Sequence, residues 1–280
     1  MAMYELSQEQ VDQFHEQGYL IVRASEHQLI NPDQLRKWTT EVQSWPKEKG
    51  KWMPYEEVTA SGERILMRTE KFVDYHDQFN ELLCGPALRG VLAQISGDQT
   101  MLLFKDKINY KLPLGNGFGA HLDAPAYDHI GKIKHLTANI AIDEATPENG
   151  CLEVVPGSHK MEVELQPGKG GHISEAWENS HEWTLVPLQP GDILFFGSRL
   201  AHRSGPNNSD RRRSSVYATY HCLSDGTDLR DRYYVDRRAN FPPAHEIEPG
   251  KDYSAGWTRY GFAAPFSKDD LPAGQTGVVN

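Results

Sequence analysis

Apolar residues recur at helical spacing through most of the first hundred positions of the chain. A capping pattern at Ser7 and Gln10 opens the first of these segments, and Gly18 is a helix-terminating residue. The predicted elements are a helix between Ser7 and Gly18, a strand at 19–22, a helix that starts at Asn31 and Pro32, and helices over 71–84 and 86–96. Residues 1–99 are therefore expected to be mostly helical and to support the remainder of the chain.

From Thr100 the pattern changes to short β-prone runs separated by Gly, Pro and Asn. The predicted strands cover 100–112, 117–123, 135–143, 151–156, 183–188, 192–197, 200–204 and 213–223. Eight short strands without intervening helices favour a double-sheet jelly roll over a parallel sheet. The expected fold class is mainly β with flanking helices, and the jelly-roll core spans residues 100–223.

The last part of the chain, 224–280, shows no clear periodicity. It is rich in Asp, Arg, Tyr and Pro, and its aromatic residues argue against full disorder. Ordered loops that wrap the jelly roll or cover its mouth are predicted there, and a flexible tail is the alternative. The whole chain, 1–280, is expected to form a single domain.

Charge and composition exclude several classes of protein. The net charge of −10 argues against a nucleic-acid binder, which needs a basic face. No long apolar run and no signal peptide are apparent, so a cytoplasmic protein without a membrane partner is expected. Three widely separated cysteines suggest neither disulfides nor a thiolate zinc site. The sequence does not indicate an oligomeric state.

The triplet His121-Leu122-Asp123 is the first candidate functional motif. In an extended segment alternate side chains share a face, so the imidazole and the carboxylate would point the same way. Such a triplet also arises by chance, and a surface pair at the end of a strand is the alternative interpretation. The pair amounts to half of a metal site.

His202 is the candidate for the remaining ligand. It follows an apolar strand and precedes Ser204, at a place from which a side chain of a jelly roll can reach across to another strand. Two histidines and one carboxylate leave three positions open on an octahedral metal, an arrangement that suits non-haem Fe(II). Structural zinc favours a closed shell rich in Cys.

Arg213, eleven residues after His202, is a candidate for binding a second molecule at such a metal. A 2-oxo acid chelates a metal through its carboxylate and keto oxygen, which leaves one position for O2. Its distal carboxylate needs a cation, preferably a guanidinium, and Ser204 offers a hydroxyl nearby. Thr137, on a strand with alternating polar residues, is a further candidate contact, although Thr is also ordinary in a sheet.

The order of these motifs resembles the phytanoyl-CoA dioxygenase family of Fe(II)/2-oxoglutarate-dependent oxygenases. The resemblance covers about 103–220 and includes NGCLEVVPGSHK and PGDILFF. It implies a double-stranded β-helix of the cupin-like type, with His121, Asp123 and His202 as iron ligands. Arg213 and Ser204 would hold 2-oxoglutarate, with Asn109 of the INYK segment as another contact. The implied reaction consumes O2, releases succinate and CO2, and hydroxylates an unactivated C–H bond.

The substrate is indicated by cations near the metal motif, namely Lys105, Lys107 and Lys111. They suggest a small, polar, anionic molecule, and the segment resembles family members that hydroxylate aminoalkylphosphonates. A solvated strand edge is the alternative explanation for these lysines. Lys107 and Tyr127 are the candidate substrate contacts.

Two other functions remain open from the sequence. One is the same cofactor chemistry on an acyl thioester or a secondary metabolite, with hydroxylation, desaturation or cyclisation. The other is a non-catalytic relative that binds a metal or ligand. The second is disfavoured because all the cofactor positions are present.

Overall fold

The computed structural model describes residues 4–59, 61–97, 100–131 and 133–266. The strands of this part of the chain are β1 (Tyr19–Val22), β2 (Met53–Val58), β3 (Arg64–Glu70), β4 (Met101–Lys111), β5 (Phe118–His121), β6 (Leu136–Ala141), β7 (Leu152–Val154), β8 (Thr184–Val186), β9 (Ile193–Gly197), β10 (His202–Ser204) and β11 (Arg213–Cys222). The helices are α1 (Gln8–Gln17), α2 (Ala24–His27), α3 (Pro32–Gln43), α4 (Asp77–Cys84), α5 (Pro86–Ser96), α6 (Glu175–Asn179), α7 (Leu229–Asn240) and α8 (Ser254–Tyr260).

The strands form two antiparallel sheets. The major sheet has the order β1-β9-β6-β11-β4-β3-β2, and the minor sheet has the order β5-β10-β7-β8. Each of the eight strands predicted after Thr100 corresponds to an observed strand, and the mainly β architecture with flanking helices is confirmed. The described strands make two open sheets that do not join into a closed barrel.

The two faces of the major sheet differ in polarity because side chains alternate along each strand. One face of β4 carries Ile108 and Tyr110, which join an apolar cluster with β11, β9 and the helices α3, α4 and α5. The opposite face of the same strand carries Lys105, Lys107 and Asn109. The helical layer thus covers the apolar face, and the polar face is turned towards the minor sheet.

The prediction for residues 1–99 was incomplete, because 53–70 forms the hairpin of β2 and β3. This hairpin extends the major sheet by pairing with β4. Within 71–84, a single turn at Val73–Tyr75 precedes α4, and the main-chain N–H of Phe79 donates to the His76 ring at the start of that helix. The partners of β3 on β4 lie about forty residues further along, as in the pairing of Arg68 with Asn109, so the local pattern did not indicate this edge of the sheet.

The prediction of loops after residue 224 was wrong where α7 and α8 occur. The buried side of α7 consists of Leu229, Tyr233, Tyr234 and Arg237, which is a helical repeat. A charged residue occupies one of those buried positions, so an apolar stripe is not visible in the sequence.

Among the described residues, no helix is both long and apolar enough to cross a membrane.

We expect Leu92→Ala to lower the free energy of unfolding by about 2–5 kcal/mol, because it creates a cavity between α5 and the major sheet. Leu92 is completely buried, whereas Leu185 on β8 is 48% exposed. The same change at Leu185 should cost less than about 0.5 kcal/mol. Urea denaturation measures both, and equal losses would contradict this placement of the core.

Candidate metal centre

The ends of β5 and β10 bring two histidines side by side. His121 and His202 are directly paired across these antiparallel strands, and their ring centroids lie 4.1 Å apart. Directly paired residues project to the same face of a sheet. Both imidazoles are buried, and the ring of Phe196 on the major sheet lies 5.1 Å from that of His202. The pair therefore lies between the two sheets.

Asp123 reaches the same point by a route that the sequence did not indicate. The strand predicted over 117–123 ends at His121, and Asp123 has helical backbone angles (φ −74°, ψ −35°) at the start of a short turn. Its carboxylate oxygens lie 3.9 Å from His121 Nε2 and 4.0 Å from His202 Nε2. The side chains of His121 and Asp123 approach each other as predicted. They do so because the chain turns after His121, and not because side chains alternate along a strand.

Backbone carbonyls fix the orientation of both imidazoles. His121 Nδ1 lies 2.7 Å from the carbonyl of Gly119, and His202 Nδ1 lies 3.0 Å from the carbonyl of Leu200. A carbonyl accepts only from a protonated nitrogen, so Nε2 of each ring keeps its lone pair. This is the usual way in which a protein prepares histidine as a metal ligand.

The protonation states of the three side chains also suit a metal. Burial and the neighbouring His202 hold the pKa of His121 well below its usual value, and burial lowers the pKa of His202. Burial raises the pKa of Asp123, but His202 and Lys107 outweigh burial and hold that pKa well below its usual value. Two neutral imidazoles and a carboxylate result, and their candidate ligand atoms all lie within 4.8 Å of one another. This donor set fits Fe(II).

Arg213 is a buried cation without a counter-ion. It is 2% exposed, it forms no ion pair with the described residues, and its Nε has no hydrogen-bond partner there. A buried unpaired charge is costly unless a ligand compensates it. The hydroxyl of Tyr217 lies beside it: burial raises the pKa of Tyr217, and Arg213 opposes that rise. Arg213 is thus prepared for an anionic group.

Ser204 and Lys111 complete the surroundings of Arg213. Lys111 pairs with Arg213 across β4 and β11, and its Nζ donates to Ser204 Oγ over 2.8 Å. Burial and the charge of Arg213 lower the pKa of Lys111 to about 6. Because Ser204 accepts from Lys111, its own hydroxyl proton is available to an anion at Arg213.

Two other candidates for cosubstrate contact have protein partners. Asn109 Oδ1 accepts from Arg68 Nε over 2.9 Å, which leaves its NH2 group as the available donor. The hydroxyl of Thr137 lies 3.0 Å from that of Thr219, and both are buried. This pairing accounts for Thr137 without a ligand. A cosubstrate contact at either residue stays a prediction.

The lysines on the inner face of β4 are not a solvated strand edge, so that alternative is wrong. Lys105 and Lys111 are buried, and Lys107 is partly buried. Lys105 and Lys107 form no ion pair or hydrogen bond with the described residues. Burial and the nearby Arg68 hold the pKa of Lys107 well below its usual value. An anion would restore the stability of its charged form.

The structure surrounds Tyr127, a predicted substrate contact, with residues that the sequence analysis missed. Tyr127 lies in an aromatic cluster with Phe104 and Tyr233, at ring distances of 5.3 and 5.9 Å. His135 is buried beside Tyr127, and neither of its nitrogens has a partner among the described residues. The alternation of polar residues on β4 and β6 could have indicated this inner face. Nothing local indicates Tyr233, which α7 contributes.

Two open antiparallel sheets that hold two histidines and one carboxylate between them are the arrangement of a mononuclear non-haem iron oxygenase. The sequence profile described as "Phytanoyl-CoA dioxygenase (PhyH)" matches residues 14–215. The chain belongs to this family, and it is therefore a dioxygenase. The resemblance found in the sequence is thereby confirmed.

The chain is also similar to individual proteins of known activity or structure. The chain is 36% identical over 261 residues to a 2-aminoethylphosphonate dioxygenase of uncultured bacterium HF130_AEPn_1, covering 92% of this chain and 98% of the relative. It is 40% identical over 238 residues to a methylphosphonate hydroxylase of Gimesia maris, covering 84% and 88%. The fold is similar to that of EctD from S. alaskensis, solved with 2-oxoglutarate and 5-hydroxyectoine, with a TM-score of 0.66, 21% identity and coverage of 79% and 77%.

We expect His121→Ala to abolish tight binding of one Fe(II) per chain, because only one imidazole and one carboxylate remain. His15→Ala, an exposed histidine on α1, is the matched control and should bind iron as the unchanged protein does. Anaerobic dialysis with metal analysis measures the stoichiometry. Full iron binding by His121→Ala would contradict this centre.

Proposed function

We propose that this protein is an Fe(II)- and 2-oxoglutarate-dependent dioxygenase that hydroxylates a small anionic molecule, with organic phosphonates as the favoured class. One observation carries the proposal: Arg213 and Lys107, which have no counter-ion among the described residues, lie on the sheet face opposite a cluster of two histidines and one carboxylate. Iron accounts for the cluster, 2-oxoglutarate for Arg213, and an anionic substrate for Lys107. A cytoplasmic location stays a prediction.

His121, Asp123 and His202 would hold Fe(II) through two nitrogens and one oxygen. When bound there, Fe(II) and 2-oxoglutarate supply the activation of O2 that hydroxylation of a C–H bond requires. One oxygen atom of O2 enters the substrate as a hydroxyl group. The other enters succinate, and the carboxyl group of 2-oxoglutarate leaves as CO2.

The protein's own residues position the reactants. Arg213 would bind the distal carboxylate of 2-oxoglutarate through its planar guanidinium, and Ser204 would donate a further hydrogen bond. A carboxylate at this place would also raise the pKa of Lys111 and draw a proton onto its amine. The apolar cluster between the sheets, which includes Phe196 and Tyr217, excludes water on one side.

The end of the described chain covers another side of the centre. The carbonyl of Ala263 accepts from the main-chain N–H of Gly119 over 2.9 Å, and the ring of Phe262 lies 6.1 Å from that of His121. We propose that this segment, together with α7 and α8, forms the cover predicted for residues 224–280. It would limit the access of water to the reacting atoms.

Lys107 would bind the anionic group of the substrate. It lies on the same face of the major sheet as Arg213, and its charge acts on Asp123. The similarity to two enzymes named for phosphonate substrates supports a phosphonate as the anion. An acyl thioester remains the alternative substrate, but the unpaired lysines inside the protein favour a small and highly charged molecule.

We expect Arg213→Lys to raise the KM for 2-oxoglutarate about tenfold or more, because a point charge replaces a bidentate fork. Arg212→Lys is the matched control, since Arg212 is partly exposed and forms an ion pair with Asp143. The rate of succinate formation against 2-oxoglutarate concentration measures both variants. An unchanged KM in Arg213→Lys would assign the cosubstrate to another cation.

We expect small alkylphosphonates to accelerate succinate release from the iron-loaded protein and to yield hydroxylated products visible by phosphorus NMR. Lys107→Met should lower kcat/KM for the phosphonate about 100-fold while leaving 2-oxoglutarate binding intact. Lys134→Met, an exposed lysine, is the control. If no phosphonate stimulates turnover of protein that binds iron and 2-oxoglutarate, the substrate class is wrong.

A further inference from the structure

Lys105 occupies an aromatic cage inside the protein. Its Nζ lies 5.3 Å from the ring centroid of Tyr127 and 5.4 Å from that of Tyr233, and these two rings are nearly perpendicular, at 80°. Phe104 packs against both tyrosines. Aromatic cages of this kind bind organic ammonium groups by cation–π attraction. Here the protein fills the cage with an ammonium group of its own.

The arginines next to this cage already use its nearest carboxylate. Glu70 receives hydrogen bonds from Arg237 at 2.8 and 3.1 Å and a third from Arg68 at 3.2 Å. The negative charge of Glu70 favours the protonated form of Lys105, but the two side chains do not form an ion pair. Arg68, Lys105, Lys107 and Arg237 are thus four basic side chains on this side of the site, and Glu70, the carboxylate among them, is already engaged by the two arginines.

The other buried carboxylates described near this sheet face are also engaged. Asp123 belongs to the metal cluster. Glu57 accepts two hydrogen bonds from Asn116, at 3.0 and 2.8 Å. A substrate with an amino group would therefore bring a further positive charge into a region that already holds four basic side chains, in which each described carboxylate is engaged and the aromatic cage is occupied.

We infer that the substrate is an alkylphosphonate dianion without an amino group, and that Lys105 is the residue that excludes aminoalkylphosphonates. The inference rests on the proposed function and narrows its substrate. Like-charge repulsion between Lys105 and a substrate ammonium group is the basis of the discrimination. The dianion offsets two of the unpaired positive charges, and the alkyl end is apolar, as are the ring faces of the cage.

O2 and 2-oxoglutarate together supply all the atoms and electrons that hydroxylation of such a substrate requires. One C–H bond of the alkyl group becomes C–OH with an oxygen atom from O2. 2-Oxoglutarate is oxidised to succinate and CO2, and the C–P bond remains intact. No further reductant is needed.

The test compares two phosphonates of nearly equal size that differ by one charge, propylphosphonate and 2-aminoethylphosphonate. With the full chain loaded with Fe(II) and 2-oxoglutarate, we expect kcat/KM for propylphosphonate to exceed that for 2-aminoethylphosphonate about tenfold or more. Calorimetric binding to Mn(II)- and 2-oxoglutarate-loaded protein under nitrogen should give the same order without turnover. Equal or stronger binding and turnover of 2-aminoethylphosphonate would overturn the inference.

Lys105→Met provides the second arm, because it removes the ammonium group from the cage and keeps an unbranched side chain of similar length. The ratio of the two kcat/KM values should shift towards 2-aminoethylphosphonate about tenfold, while Lys134→Met should leave the ratio unchanged. An unmoved ratio in a folded Lys105→Met protein would remove Lys105 as the discriminating residue. If that variant fails to fold, as judged by circular dichroism, Lys105→Gln replaces it, and the unchanged protein still decides the preference.

If the proposed function itself is wrong, the same experiments give a different result. Protein that binds Fe(II) and 2-oxoglutarate but releases no additional succinate with either phosphonate would contradict the substrate class itself. Turnover of 2-aminoethylphosphonate in preference to propylphosphonate would leave the substrate class in place and contradict only the narrower inference.

Discussion

The antiparallel pairing of β4 with β11 is the constraint on which the rest of the structure depends. It runs from Lys111 opposite Arg213 to Met101 opposite Cys222, and it gives the major sheet two faces of opposite character. Ile108 and Val216 face the helices and form the core. Lys107 and Arg213 share the other face. A shift of the register by one residue would move these charges into the apolar layer and destroy core and site together.

The charged inner face of the major sheet lowers the stability of the fold, and the packing of the helical layer compensates for this loss. Lysines without counter-ions inside a protein oppose folding, whereas the packing of α3, α4 and α5 on the major sheet buries a continuous apolar cluster. A protein that breaks the rules of burial at one place generally does so at its functional site. The concentration of cations that have no counter-ion among the described residues is therefore better explained by the proposed binding of anions than by stability.

The helix α7 links the end of the chain to the centre of the site. Arg237 holds Glu70 on β3, and Tyr233 forms one wall of the cage around Lys105. Without α7 the carboxylate of Glu70 would lose its main partner, and the cage would have a single tyrosine. Residues after β11 thus take part in shaping the proposed substrate side of the site, whereas the proposed metal and cosubstrate positions lie between residues 109 and 213.

The sequence alone determined the eight strands after Thr100, because alternation and turn residues act locally. It also singled out His121, Asp123, His202 and Arg213, because few residue types offer this chemistry and because the order of these motifs along the chain resembles that of a known family. The tertiary structure decided the hairpin of β2 and β3, the helix α7 and the cage around Lys105. Arg237 and Glu70 are 167 residues apart, and no local pattern shows that a buried arginine will meet its carboxylate. Such contacts depend on how distant elements pack, and packing is a property of the folded chain.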